Sequence, residues 1–212
     1  MDIRKFREKY GLSLIPASHV GIILGTLVWD PLLSPPSFNY KGMPKHILNA
    51  FLDAGLLTES DWSKFRINLK KAPQLSANFA DQNIGVEANS LQEFNNPVIN
   101  TILSKIEVLS IRKFRFGNLQ ARVMPDIIRI EIDSLLEKLK RNNWSAYDGK
   151  IRRVFMITEL YYGDIQILIS KGVQVKNMFK TNIDSNLNQE YSFSHQEVPF
   201  AMKLERVRYF NG

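Results

Sequence analysis

Apolar residues recur three and four positions apart in three stretches of the chain, and this spacing predicts three amphipathic helices. The first covers residues 1–11 and ends at a glycine, and the second covers residues 44–54. The third begins near Ser134, whose spacing to Glu137 fits a capping box. A short helical turn is also predicted over residues 58–65.

The most apolar stretch of the chain is residues 12–33, but prolines and polar residues leave only residues 20–29 uninterrupted. A helical membrane span needs about 20 apolar residues, and no secretory cleavage site follows this stretch. We therefore expect a buried strand pair, or one bent strand, around Gly25. A soluble cytosolic protein is the default expectation.

A β-hairpin is the clearest local prediction. Residues 152–162 are almost all β-branched, aromatic or long apolar residues, and the dipeptide Gly163-Asp164 follows them. Isoleucines at positions 165, 167 and 169 then alternate with other residues, and the return strand is predicted to reach residue 175 with a break at Gly172. Two strand-like runs separated by a two-residue glycine-containing segment are typical of a hairpin, so the turn is predicted at Gly163-Asp164.

The remaining pattern completes an α+β prediction. Residues 75–123 are short apolar runs broken by polar turns, which indicates further strands. Residues 181–190 read as a polar loop, and residues 198–209 as a last alternating strand. We expect a single domain over residues 1–212, with a twisted, mostly antiparallel sheet and flanking helices.

Composition narrows the function classes. The chain has 28 Lys and Arg against 21 Asp and Glu, for a net charge of +7, which favours anionic partners such as nucleic acid or an acidic lipid surface. It has no cysteine, which excludes a disulfide framework, a thiolate nucleophile, Cys-ligated metals and an S-acyl anchor.

Catalytic signals are weak. The histidines at positions 19, 46 and 195 share no metal-ligand spacing, and phosphate-binding loops, nucleophile elbows and dinucleotide fingerprints are missing from the sequence. We therefore predict no catalytic residue, no metal and no cofactor. One enzymatic alternative is that Asp126, with Asp148 and Lys150, resembles the acidic and lysine elements of metal-dependent nucleases.

A second alternative is a basic nucleic-acid-binding or scaffold module. Arg112, Lys113 and Arg115 alternate with Phe114 and Phe116, a pattern that single-strand binders use for phosphate contacts and base stacking. A half-buried strand over a core gives the same pattern, and we therefore expect no nucleic acid.

The order of elements from residue 111 onward resembles the pore-forming domain of the gasdermins, of bacterial or other minimal type. A strand reaches Pro125-Asp126, a Leu-rich helix follows at residues 134–140, and residues 154–160, VFMITEL, are similar to the VVTEVL-like strand of that family. Residues 198–204 look like its closing strand. Residues 79–90 and 105–123 match more loosely, as a first inserting hairpin.

This resemblance implies a gasdermin-like fold and a protein that is monomeric when soluble. Such a protein would bind an anionic membrane, form a homo-oligomeric ring and insert two hairpins per subunit into a large transmembrane β-barrel. The outcome would be membrane permeabilisation and cell death, in settings that include antiviral defence. It also implies a cytoplasmic resting form and an active form on the inner face of the plasma or cell inner membrane.

The resemblance also assigns candidate site residues. The first helix would contact lipid headgroups, and residues on either side of Gly163 would enter the membrane. The membrane-binding residues are Arg4, Lys5, Phe6, Arg7 and Lys9, and the inserting residues are Val154, Phe155, Met156, Ile157, Leu160, Tyr162, Gly163, Ile165, Ile167 and Ile169.

Two features depart from the family pattern. The N-terminal cysteine that bacterial gasdermins acylate has no counterpart here. The sequence also shows no clear C-terminal inhibitory domain, since it reaches Gly212 soon after the closing strand. In the family a protease releases the pore domain from that inhibitory segment, so the resemblance implies an activating protease as a partner. Either the inhibitor is missing, or the chain is a cleaved product, or activation works without cleavage.

Overall fold

The computed structural model shows an α+β fold in which helices accompany a mostly antiparallel β-sheet. The fold class predicted from the sequence is therefore confirmed at this level. The structure describes residues 3–15, 22–29, 46–77, 84–87, 111–141, 154–170, 181–182, 188–193 and 198–207.

The helices follow the apolar periodicity, with two changes of length. The third predicted helix begins at Asp126 rather than near Ser134, because isoleucines at positions 128 and 132 continue the same buried stripe towards the N-terminus. The turn predicted over residues 58–65 extends into a full helix, which a capping box between Thr58 and Asp61 starts. The helices are α1 (Ile3–Tyr10), α2 (Ile47–Asp53), α3 (Glu59–Lys70) and α4 (Asp126–Arg141).

The described strands form a sheet in which β1, β9, β6, β5 and β3 are successive neighbours. In addition, β2 and β8 pair with β6, β4 pairs with β5, and β7 pairs with β8. The strands are β1 (Ser13–Leu14), β2 (Leu27–Trp29), β3 (Gln74–Ser76), β4 (Ile84–Glu87), β5 (Ile111–Val123), β6 (Val154–Ser170), β7 (Thr181–Asn182), β8 (Asn188–Phe193) and β9 (Ala201–Arg206).

The chain divides into two compact units, each made of three separate segments. The first contains Met1–Val20, Leu75–Ala121 and Tyr161–Met202. Its buried aromatic side chains include Phe116 and Phe200, whose rings stack with centroids 4.0 Å apart. Stacked aromatic pairs add to the free energy gained by burying their area.

The second unit contains Gly21–Gln74, Arg122–Leu160 and Lys203–Gly212. It contains the pairing of β2 with the first residues of β6, in which Val28 lies opposite Phe155. A buried strand pair, or one bent strand, was predicted around Gly25; the described residues there contain a turn at Gly25 and the single strand β2 after it. Gly25 has a φ of +84°, which glycine adopts without strain. The buried apolar residues of this unit include Leu24, Leu27, Ile47, Leu48, Phe51, Leu69, Ile132, Leu135 and Ile157.

The hairpin turn predicted at Gly163-Asp164 is wrong for this structure, because β6 continues through both residues as one strand of 17 residues. A Cβ atom added at Gly163 would lie 2.8 Å from the carbonyl oxygen of Gly117 and 2.9 Å from a methyl of Leu119. The glycine thus permits close approach of the neighbouring strand β5. Close approach of another backbone is a common reason for a glycine within a strand.

The polar loop predicted over residues 181–190 is also wrong in part. The described residues there belong to β7 and to the first half of β8. Strand β8 pairs antiparallel with the second half of β6, from Ile165–Phe193 to Ser170–Asn188. The long strand therefore has its partner at 188–193, whereas the sequence pattern placed it at 165–175. Residues 171–175 of the predicted return strand lie outside the described residues.

His46 has a structural role at the start of α2. Its Nε2 lies 2.8 Å from the carbonyl oxygen of Leu24, and its Nδ1 accepts a hydrogen bond from the backbone N–H of Leu48. This pair of contacts requires a neutral ring with the proton on Nε2. Burial lowers the pKa of His46 to about 4; the Leu24 contact opposes this shift, and the charge of Arg66 adds to it.

We expect the stability of the protein to fall between pH 6.5 and about pH 4 because of His46. In that window the unfolded chain binds a proton at this histidine and the folded chain does not, so the free energy of unfolding falls by about 3 kcal/mol as the pH decreases. His46→Asn keeps a capping side chain without a titrating group. Urea unfolding at pH 7 and pH 4 should show the stability gap between the two proteins narrowing by about that amount, and an unchanged gap would contradict the assignment.

Candidate membrane-interacting surface

The first helix presents two of the five residues assigned to lipid contact, both lysines, as exposed cations. Lys5 and Lys9 are exposed and one turn apart, and Arg7 is half-buried. The Nζ of Lys9 lies 5.2 Å from the ring centroid of Tyr10. Arg4 belongs to the same helix, but its side chain lies outside the described part of the structure.

Phe6 differs from the other four, because its side chain is fully buried. Its ring centroid lies 5.3 Å from that of Tyr10. In this conformation Phe6 holds α1 onto the fold and is not part of the exposed surface. The apolar period that identified the helix could not separate a core contact from a lipid contact, since both require the same residue type.

The helix is held at its C-terminal end by backbone contacts within the first unit. Gly11 has a φ of +66° and donates its N–H to the carbonyl oxygen of Arg7 at 2.8 Å, which ends the helix. Strand β1 follows directly and pairs with β9, with Leu14 opposite Ala201. The cationic helix is therefore attached to an edge of the sheet.

The first half of β6, by contrast, is core. The apolar residues there were predicted to enter a membrane, but nearly all of them are buried in this structure. Residues 154–156 pair with β2, and Gly163 lies close to Gly117 of β5. The buried members of the predicted set are Val154, Met156, Ile157, Leu160, Tyr162 and Gly163, and Phe155 is half-buried.

The second half of β6 forms a two-stranded segment with β8, which we call the β6–β8 ribbon (residues 165–170 and 188–193). Successive residues of a strand alternate between its two faces. The register therefore divides the ribbon into an apolar and a polar face. One face carries Ile165, Ile167, Ile169, Tyr191 and Phe193 with Gln189, and the other carries Gln166, Ser170, Asn188, Glu190 and Ser192 with Leu168.

A second ribbon with the same division lies on β5. We call it the β4–β5 ribbon (residues 84–87 and 113–116), and it joins the two segments that the sequence suggested as a first hairpin. Its register again separates residue types by face. Ile84, Val86, Phe114 and Phe116 share one face, and Gly85, Glu87, Lys113 and Arg115 share the other.

The two ribbons continue from adjacent strands, β5 and β6, and a polar contact joins those strands beside Gly163. Asn118 has a φ of +46° and donates its side-chain N–H to Oδ2 of Asp164 at 2.6 Å. The Oδ1 atom of Asp164 is buried and accepts no hydrogen bond from the residues that the structure describes. We call Gly117, Asn118, Gly163 and Asp164 the glycine junction.

The described residues offer little catalytic chemistry. They contain no group of three or more His, Asp or Glu side chains placed to hold a metal ion. Asp126 of the nuclease-like pattern is the exposed first residue of α4, and Asp148 and Lys150 lie outside the described residues. His19 and His195 lie outside them as well.

One cavity lies in the second unit, against α4 and the ends of β6 and β9, with a volume of about 260 Å³. Arg129 in its wall forms an ion pair with Glu205. Burial raises the pKa of the neighbouring Asp133; the charge of Arg129 opposes the shift, and that of Glu205 adds to it. Glu205 already neutralises Arg129. We therefore interpret the charged residues in the wall of this cavity as a structural ion pair.

Within the described part of the chain, no helix is both long and apolar enough to cross a membrane. Comparison with known proteins leaves the family open: no protein-family model matches the chain, and no curated protein is significantly similar to it.

Proposed function

We propose that this protein is a gasdermin-like pore former that binds anionic membranes, oligomerises and inserts two β-ribbons per subunit. One observation carries the proposal: the β4–β5 and β6–β8 ribbons are both divided into an apolar and a polar face, and they continue from neighbouring strands. The wall of a transmembrane β-barrel needs this division, with apolar residues towards lipid and polar residues towards the lumen.

The part of β6 that inserts in this proposal lies beyond the glycine junction, where Ile165, Ile167 and Ile169 share the apolar face. The described strand continues to Ser170, and it thus supplies part of the about 9 to 11 residues that a transmembrane β-strand needs. The buried residues from Val154 to Tyr162 remain in the folded body.

Oligomerisation follows from the backbone. A lone ribbon in lipid would leave N–H and C=O groups unpaired along both edges, and each such group costs several kcal/mol. Only a closed ring of subunits pairs them all. The inserted form is therefore a homo-oligomer in this proposal, and the resting form is a monomer.

Electrostatics supports attraction to an acidic lipid surface. Four cations on α1, at about 1 kcal/mol each, would contribute roughly 4 kcal/mol, which is a millimolar affinity for one copy. Many copies in one ring bind far more tightly, because linked sites multiply avidity. In this proposal the resting protein is cytoplasmic and the active ring lies on the inner face of the plasma or cell inner membrane, where leakage causes cell death.

Dye release tests the proposal. Vesicles of phosphatidylcholine and phosphatidylserine in equal parts should leak when the protein is added, and negative-stain images should show rings. A nucleic-acid-binding module would instead shift single-stranded oligonucleotides with a steep salt dependence and leave the vesicles intact. A nuclease would cleave the oligonucleotides in the presence of magnesium, and the Asp126→Ala variant would lose that activity. Intact vesicles without rings would contradict the pore proposal.

We expect the double variant Lys5→Gln and Lys9→Gln to bind the same vesicles about 30-fold more weakly, because it lacks about 2 kcal/mol of attraction. A matched control, Gln74→Glu with Ser76→Asp, changes the net charge equally on β3, outside α1 and at one half-buried and one exposed position. Sedimentation with vesicles measures both variants. If both lose binding equally, overall charge is responsible and the role of α1 is wrong.

A further inference from the structure

Helix α3 has an exposed surface that combines one large apolar side chain with lysines. Ile67 is 50% exposed and lies opposite the buried Phe65 and Leu69. Residues three and four positions away share its side of the helix. Those neighbours are exposed lysines at positions 64, 70 and 71. The acidic residue Glu59 lies at the N-terminal end of the same helix, so α3 is acidic at its start and basic at its end.

Helix α4 has an exposed surface with the same order of charges, acidic at its start and basic at its end. Ile127 and Ile130 are 76% and 69% exposed, although α4 buries a full apolar stripe elsewhere. The exposed acids Asp126 and Glu131 flank them, and residues 138 and 141, a lysine and an arginine, are exposed at its basic end. Exposed apolar side chains surrounded by charges are typical of a protein interaction site.

The two surfaces complement each other when the helices run antiparallel. The basic end of α3, with Ile67, then meets the acidic start of α4, with Ile127 and Ile130. At the other end, Glu59 meets the basic end of α4. Antiparallel packing also opposes the two helix dipoles favourably, and helices of 12 and 16 residues are of comparable length, about 18 and 24 Å.

We propose that α3 of one copy docks antiparallel on α4 of a second copy, through Ile67 against Ile127 and Ile130. Both surfaces belong to the same compact unit of one chain, and both are exposed there. A contact between two different surfaces of identical chains is heterologous, so it repeats from copy to copy and closes into a ring when the rotation allows. This inference rests on the proposed function, because the ring of subunits belongs to that proposal. The inference adds which two surfaces of each copy build the ring.

The charge pattern favours a second copy over lipid as the occupant. A lysine-rich surface alone would suit acidic headgroups, but the exposed isoleucines of α4 lie beside Asp126 and Glu131, which an anionic membrane repels. A single partner for both surfaces must be acidic in one place and basic in another. This chain itself meets that requirement.

Charge reversal with mixing tests the contact. One variant carries Lys64→Glu and Lys70→Glu, and the other carries Asp126→Lys and Glu131→Lys. Each variant alone places like charges together and should release dye at least about tenfold more slowly, since like-charge contacts across an interface are strongly unfavourable. An equal mixture restores opposite charges at every contact and should recover dye release. The mixture contains the same chains, so it also controls for net charge and for folding.

Cysteine cross-linking gives a readout that does not depend on leakage. The chain contains no cysteine, so the double variant Ile67→Cys and Ile130→Cys places the only thiols at the proposed contact. On the vesicles defined above, mild oxidation should give a ladder of covalent oligomers. The matched control, Ser76→Cys with Ile130→Cys, moves one thiol to an exposed position outside the contact and should give no ladder.

The outcomes separate the contact from the pore. A ladder without leakage supports the contact and contradicts the pore proposal. Leakage without a ladder, or with undiminished rates in both reversed variants, overturns the contact and leaves the pore proposal standing. The variant with reversed charges on α3 could fail to sediment with the vesicles, and mixing it with the α4 variant could fail to restore its binding. In that case α3 contacts lipid and the proposed contact between copies is wrong.

Discussion

Ile167→Asp is expected to slow dye release at least about tenfold, whereas Gln166→Asp should leave it nearly unchanged. The two residues are neighbours in β6 but lie on opposite faces of the β6–β8 ribbon, in register with Tyr191 and Ser192. A carboxylate on the lipid face of a membrane strand costs roughly 2 kcal/mol per copy, and the cost recurs in every subunit of a ring. The same carboxylate on the lumen face stays in water.

Three measurements make this comparison decisive. Dye release from the acidic vesicles reports pore formation, sedimentation reports binding, and urea unfolding reports the stability of each variant before it meets lipid. The expected pattern is equal binding by both variants with leakage lost in Ile167→Asp alone. Equal leakage by the two folded variants would mean that the register of β6 with β8 does not define a lipid face.

Gly163→Val is expected to lower the free energy of unfolding by about 3 kcal/mol. Valine is a good strand residue and would stabilise an ordinary strand position, so the sign of the effect is informative. Here its Cβ would lie 2.8 Å from the carbonyl oxygen of Gly117, which is backbone of β5 and has little freedom to move. Urea denaturation measures the difference directly.

Gly11→Ala is the matched control for that variant. Gly11 has a φ of +66°, and nothing lies within 4 Å of a Cβ added there. It should therefore lose only about 1 kcal/mol, from the left-handed backbone alone. A Gly163→Val protein as stable as the wild type would show that β5 and β6 do not approach each other closely at the glycine junction.

Patterns of residues that are close in the sequence were sufficient to predict most of the helices. The presence of α1, its end at Gly11 and the position of α2 agree with the structure because a helix contacts only its own turns and one core face. The start of α4 was misplaced for a specific reason. Isoleucine is β-branched and common in strands, so Ile127, Ile130 and Ile132 could be read either as a strand or as a first helical turn.

The candidate surface was predicted in part. The cations of α1 and the isoleucines of β6 beyond residue 164 follow from the sequence, since exposure of charge and alternation of faces are local properties. The burial of Phe6 and of residues 154–162 could not be predicted, because it depends on which elements cover them. Strand β8 was also missed, although the alternation of Tyr191, Ser192 and Phe193 is a weak signal for a strand.

The amino-acid sequence by itself determined the period of each element, the α+β class, the excess of positive charge and the absence of cysteine. Only the tertiary structure decided how β6 is used, because a glycine followed by an aspartate has the same local chemistry in a turn and beneath a neighbouring strand. What separates the two cases is the carbonyl oxygen of Gly117, which is distant in the chain and close in space. Strand pairing depends on such distant contacts, and the two faces of each ribbon exist only once that pairing sets the register.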